Sequence, residues 1–256
     1  MYTVENKTEQ YLLTTAAGKR LIAKAVAPLI IEAIKSHTVV IMGGTTNGYI
    51  AEEVLSLLDK VDGFSKSAFF RGATFAPGAE IKKTTDAKFN GDIIIKNGEV
   101  ITDKTIFDVA ESLEKGDIIL KGANAVNIES KQAGILIGNP ASGTCLPILQ
   151  VVAGKRVELI IPVGLEKRVT ADINRLALKL NAPSTSGLRM MPVNGRIITE
   201  LDAIEILCGA NAELFAAGGV CGAQGSCWIA VTGNEEQLGK ASEIIKSLIN
   251  EPPFEV

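Results

Sequence analysis

Residues 38–55 read TVVIMGGTTNGYIAEEVL. Thr38–Met42 is a continuous apolar run rich in β-branched residues, the composition of a strand buried on both faces of a sheet. Gly43 and Gly44 end it, and helical spacing of apolar residues resumes over Tyr49–Leu58. The reading is strand, tight turn, helix. Glycines let the backbone bend sharply and gather amide N–H groups at one point, where the Thr45 and Thr46 hydroxyls and the positive end of the helix add to them. A small anion fits there. The alternative is a turn that merely needs glycines, and the paired threonines favour the ligand. No Gly-Lys-Ser/Thr follows and the Gly-x-Gly-x-x-Gly spacing is missing, which sets ATP and NAD aside.

Working outward, apolar residues from Leu21 to Ala33 recur at three and four positions, so Thr15–Ile34 is predicted helical, with Pro28 kinking or breaking it. Ser67–Phe70 reads as a strand. Gly91–Ile95 and Glu99–Ile101 flank Asn97-Gly98 as a hairpin, and Thr105–Leu113 as a helix. Asp117–Leu120, Gly134–Ile137 and Val157–Pro162 are further buried strands, alternating with helices at Thr144–Ala153 and Lys167–Leu180. That alternation predicts an open, mainly parallel sheet with helices on both faces.

Asn181–Gly187 (NAPSTSG) has linker composition, dividing the chain into an α/β domain over 1–183 and a smaller one over 184–256. In the latter, strands at Leu188–Val193, Ala212–Val220 and Ser226–Val231 and helices at Thr199–Leu207 and Glu235–Ile249 give a βαββα order, most of a ferredoxin-like unit. Trp228 is expected as its core anchor. Such units pair edge to edge, so a homo-oligomer is expected.

Composition narrows the partners. Net charge is −3, from 26 basic and 29 acidic residues without a Lys/Arg stripe, so nucleic acid is not expected as a partner. Mean hydropathy is +0.24, yet no apolar run approaches the ~20 residues of a membrane span, and no membrane association is expected. The opening MYTVENKTEQYLL lacks the pattern of a secretory signal, which points to the cytoplasm. The four cysteines, Cys145, Cys208, Cys221 and Cys227, show no Cys-x2-Cys spacing and read as reduced packing residues. His37 is the only histidine. No metal site and no cofactor are expected.

Two further loops leave the carboxyl ends of predicted strands. Lys121–Asn127 (KGANAVN) follows Asp117–Leu120, and GNPASGT at Gly138–Thr144 precedes a helix. In an open parallel sheet such loops gather into one crevice. The candidate ligand-binding residues are therefore Gly43, Gly44, Thr45, Thr46, Asn47, Gly122, Asn124, Asn127, Gly143, Thr144 and Arg71. Lys167 is either a phosphate partner or reactive group, or a solvated lysine. Cys145 at a helix start is either a nucleophile of lowered pKa or, the reading its setting favours, a packing residue. Glu80, Asp86 and Asp103 read as solvated loop carboxylates.

These residues carry a resemblance. TVVIMGGTTNGYIAEEVL is similar to the ligand loop of the sugar-sensing domain of DeoR-type repressors, GDIILKGANAVN to the Gly-Ala-Asn/Asp loop shared with ribose-5-phosphate isomerase, and LIIPVGLEKRV to a strand ending in a Lys-bearing loop. Over Thr38–Val169 the chain thus resembles the superfamily of sugar-phosphate isomerases, deaminases and CoA transferases. That resemblance implies a sugar phosphate-like ligand, with isomerisation or CoA-ester transfer as the catalytic alternatives and a regulatory subunit as the non-catalytic one. Asn124 and Asn127 stand where the isomerases place carboxylates, and an amide cannot serve as a general base. No helix-turn-helix precedes Thr38.

Overall fold

The computed structural model describes residues 6–75, 77, 78, 89 and 91–255; Glu80 and Asp86 lie outside them. In chain order the elements are β1 (Lys7–Leu13), α1 (Thr15–Ala33), β2 (Val39–Ile41), α2 (Thr45–Leu57), β3 (Ile93–Lys96), β4 (Glu99–Ile101), α3 (Ile106–Val109), β5 (Ile118–Leu120), β6 (Ala125–Asn127) and β7 (Gln132–Ile137). They continue with α4 (Cys145–Lys155), β8 (Glu158–Pro162), α5 (Ile173–Leu180), β9 (Arg189–Val193), β10 (Arg196–Ile198), α6 (Glu200–Cys208), β11 (Asn211–Ala217), β12 (Cys227–Gly233) and α7 (Glu235–Leu248).

The main sheet has the order β10-β8-β5-β2-β3-β4. From β10 to β2 neighbours run parallel, whereas β3 joins β2 and β4 joins β3 antiparallel. The expected mainly parallel sheet is therefore a mixed one, because the Asn97-Gly98 hairpin folds back onto the edge of β2. Successive side chains of a strand alternate in direction, and in β2 both directions are dry. Val39 and Ile41 join the core beneath α1, α2, α6 and α7, while Val40 joins the one beneath α3 and α4. Each fully buried Val or Ile contributes roughly 1.5–3 kcal/mol, which is why the run carries no polar residue.

The other sheets, β1-β12-β11 and β6-β7-β9, are antiparallel. Strand pairing crosses the expected boundary at residue 183: β9 pairs with β7, β10 with β8, and β1 with β12. The βαββα unit expected over 184–256 is thus not built by that segment alone. Its first strand leaves for another sheet and β1 takes the place beside β12, supplying the ladder bonds an edge strand would otherwise leave open. Trp228 lies half-exposed against Phe215, not in the core. Ser67–Phe70 forms turns instead of a strand, with Ala68 N donating to Ser65 O and Phe69 N to Lys66 O. Helix α1 runs unbroken through Pro28.

The segment after α7 is fastened to α1 and α2. Buried Arg20 donates to Glu53 Oε1 at 2.9 Å, to Glu251 Oε1 at 3.0 Å and to Glu52. A forked guanidinium can bridge several carboxylates in this way. Phe254 then comes to rest near Tyr49 and Phe70, with ring centroids 6.3 and 6.4 Å apart. No described helix is long and apolar enough to cross a membrane.

Candidate functional site

A cavity of about 890 Å³ opens beyond the carboxyl ends of β2 and β5. Its wall takes in Gly44–Asn47 from the start of α2, Lys121–Asn124 after β5, Ser142–Cys145 at the start of α4, and Glu166 and Lys167 after β8. Thr14 and the start of α1 with Lys19, Arg71–Phe75, the end of β7 with Gly138 and Asn139, and Glu251, Pro253 and Phe254 also contribute. The loops at Gly43, Lys121 and Gly138–Thr144 expected to face one another all reach this wall. The first two do so because parallel neighbours β2 and β5 end at the same side of the sheet, whereas the third leaves β7 of the separate antiparallel sheet.

Three helices start on this wall. Thr14 caps α1 by accepting from Ala17 N at 3.2 Å, whereas Gly44 at α2 and Thr144 at α4 provide no side-chain cap. The first amides of α2 therefore keep donor capacity, and the partial positive charge of the helix end adds to it, whereas at α4 Cys145 N and Leu146 N already donate to Ser142 O and Gly143 O and Pro147 has no N–H. Thr46 is only 2% exposed, and its Oγ1 finds no partner among the described residues. A buried hydroxyl without a partner costs about 1–3 kcal/mol, the kind of debt a bound ligand relieves.

Not every expected ligand residue is free for a ligand. Gly43 is absent from the wall, and its N–H donates to Asp92 Oδ1 at 3.0 Å. Gly44 N donates to Phe69 O at 3.1 Å. Neither glycine has a positive φ, so the bend does not rest on glycine's left-handed freedom. The position that needs glycine nearby is Gly48, where a Cβ would stand 3.0 Å from Lys66 O. Asn47 Nδ2 bridges Met42 O at 2.8 Å and Leu120 O at 3.0 Å, clipping β2 to β5; its Oδ1 is buried without a partner among the described residues.

Asn124 lines the cavity while its Oδ1 accepts from Leu136 N at 3.0 Å. Asn127 lies off the wall, its Nδ2 shared between Thr170 O and Ala171 O at 3.3 Å each. Both asparagines tie to backbone, but only Asn127 donates to carbonyls, so a carboxylate of the kind the superfamily resemblance implied would lose those bonds at 127, whereas at 124 it could accept from Leu136 N as the amide oxygen does. Gly122 and Thr144 lie on the wall, as does Gly143, which follows left-handed Ser142 and is itself left-handed at φ 52°.

The candidate reactive groups separate. Lys167 lines the cavity and its Nζ donates to Ala123 O at 3.0 Å. Cys145 is buried, and burial pushes its thiol pKa up, with Lys121 opposing. A thiol held protonated is a poor nucleophile, so the lowered pKa considered for a helix start is not what this position has. Arg71 pairs with fully buried Asp92 at 3.0 Å and still reaches the wall. Asp92 also accepts from Ile106 N at 2.8 Å, so it fixes Arg71, the Gly43 turn and the start of α3 together.

A second charged cluster has no counterpart among the sequence candidates. Glu166 lies on the wall, and neither of its oxygens has a hydrogen-bond partner among the described residues. Lys19 Nζ is 3.8 Å from Glu166 Oε1, and burial lowers the Lys19 pKa while Glu166 opposes that shift. Behind them Glu200 accepts from Leu165 N at 2.9 Å. Burial and the neighbouring Glu166 push its carboxyl pKa up to about 8. Such a group is largely protonated near neutrality. Glu166 was legible as a carboxylate directly before Lys167 at a strand mouth, but Lys19 sits inside an apolar helix pattern that gives no hint of a cavity.

Among the described residues no cluster of His, Cys, Asp and Glu is placed to hold a metal ion. No protein-family model, curated protein or solved structure matches the chain.

Proposed function

We propose that the protein binds a small phosphorylated metabolite, sugar phosphate-like, with the phosphate against the start of α2. The observation that carries this reading is the convergence on one cavity of the uncapped α2 terminus, the unpartnered Thr46 hydroxyl and the cations Lys121, Lys167 and Arg71. Helix amides and Arg or Lys side chains are complementary to phosphate oxygens. Glu166, on the same wall, offers acceptors to ligand hydroxyls.

The test is thermal denaturation with inorganic phosphate, ribose 5-phosphate, glucosamine 6-phosphate, acetyl-CoA and unphosphorylated ribose. A ligand at a hundred times its Kd stabilises by about 2.7 kcal/mol. At least one phosphorylated compound stabilises the protein and ribose does not; a panel without any stabiliser defeats the reading.

Glu166 favours a second reading, sugar-phosphate isomerisation. A wall carboxylate that accepts no hydrogen bond from a described residue and has the Lys19 ammonium 3.8 Å away is a general-base candidate where Asn124 and Asn127 are not. Aldose–ketose turnover lost in Glu166→Gln supports it, and lack of turnover with every binder from the panel removes it.

A further inference from the structure

The cations on the cavity wall differ in one respect. Arg71 holds Asp92, Lys19 faces Glu166, and Lys167 donates to Ala123 O. Lys121 Nζ forms neither a hydrogen bond nor an ion pair with any described residue. Its backbone is fixed all the same, because Lys121 N donates to Ile160 O at 3.0 Å and extends the β5–β8 pairing by one bond. Lys121 thus stands at a rigid strand end on the wall of a cavity whose other described cations already have partners.

A lysine spent only on neutralising a phosphate gains from a strongly held ammonium. Burial instead lowers the Lys121 pKa, Cys145 opposes the shift and neighbouring Lys167 adds to it. Desolvation among other cations is the setting in which a lysine amine becomes a nucleophile toward carbonyls.

We propose that Lys121 forms an imine with the carbonyl carbon of a phosphorylated aldehyde or ketone whose phosphate sits at Thr45 and Thr46. This rests on the anion-binding reading above. The neutral amine attacks the carbonyl carbon, forming a C–N bond, and the carbonyl oxygen takes up a proton. Loss of water from this carbinolamine, with the nitrogen giving up its remaining proton, leaves C=N. One amine and one carbonyl thus give one imine and one water, with no change in oxidation state.

Trapping tests it. The full-length protein is incubated with glyceraldehyde 3-phosphate, reduced with borohydride, which adds hydride to the imine carbon, and mapped by peptide mass spectrometry. The expected result is a saturable secondary-amine adduct at Lys121, suppressed by inorganic phosphate and absent from Lys121→Arg. Unphosphorylated glyceraldehyde labels that residue at least about tenfold less, as a lost phosphate contact worth about 1.4 kcal/mol requires. Lys121→Gln serves if the arginine variant melts early. Adducts at Lys19 or Lys167 instead, or Lys121 labelled no more than exposed lysines such as Lys35, overturn the proposal. If phosphate stabilises the protein and no Lys121 adduct forms, the covalent step fails while the anion site stands. If phosphate neither stabilises nor competes, both fail.

Discussion

Glu200 and Gly18 are in direct apposition: a Cβ on Gly18 would stand 2.4 Å from Glu200 Oε1. The missing side chain lets α6 bring a carboxylate against α1, behind the wall where Lys19 meets Glu166 at 3.8 Å. Those carboxyl groups share one cation in a dry setting, and one of them gives up its charge. Glu200, the fully enclosed one, is held at a pKa of about 8 by burial and by Glu166.

That shift has a sign for stability. The unfolded carboxyl titrates near 4.5 and the folded one near 8, so between these values the folded state binds more protons. Stability from this group is complete below pH 4.5 and is lost as pH rises through 8, by at most about 1.4 kcal/mol per pH unit. Glu200→Gln keeps an acceptor for Leu165 N and removes the titration. Urea unfolding at pH 5, 6.5 and 8 is expected to show a flatter profile for the variant. Parallel profiles for the two proteins refute the assignment.

Replacing Thr46 by Val removes a buried hydroxyl without a partner among the described residues and keeps the side-chain shape. Stability is expected to stay level or rise by up to about 1 kcal/mol, while the stabilisation by phosphate compounds shrinks. Melting curves with and without ligand check both. A variant that loses stability yet keeps the ligand shift shows that Thr46 is structural only.

Asp92 serves Gly43, Ile106 and Arg71 at once and is fully buried. Asp92→Ala leaves the two amides without an acceptor and Arg71 without a counter-charge, an expected loss of about 3–5 kcal/mol. The midpoint of chemical denaturation reads it. A change under about 1 kcal/mol means that the turn does not depend on this carboxylate.

Thiol labelling under native conditions is expected to have one fast and three slow phases, since Cys221 is exposed and Cys145, Cys208 and Cys227 are buried. Burial raises the pKa of each buried thiol, that of Cys227 to about 12. Mass spectrometry after brief iodoacetamide treatment identifies the sites. Early alkylation of Cys145 restores it as a candidate nucleophile.

The sequence by itself determined what depends on neighbours along the chain. Val39–Ile41 reads as a doubly buried strand because every side chain in the run is apolar, α2 by its spacing, and the β3–β4 hairpin by Asn97-Gly98. The meeting of the Gly44 and Lys121 loops followed, since parallel strands deliver their ends to one side, whereas the Gly138–Thr144 loop reaches the same wall from β7 of another, antiparallel sheet. Tertiary structure decided the rest. β6 and β10 are three residues long, too short for a period to emerge, and β1 is a strand only because β12 lies beside it. Lys19, Glu166 and Glu200 are ordinary residue types in three separate segments. Their meeting, and the loss of charge at Glu200, arise from desolvation and from the close approach of α6 to Gly18, quantities set by packing between segments far apart in the chain.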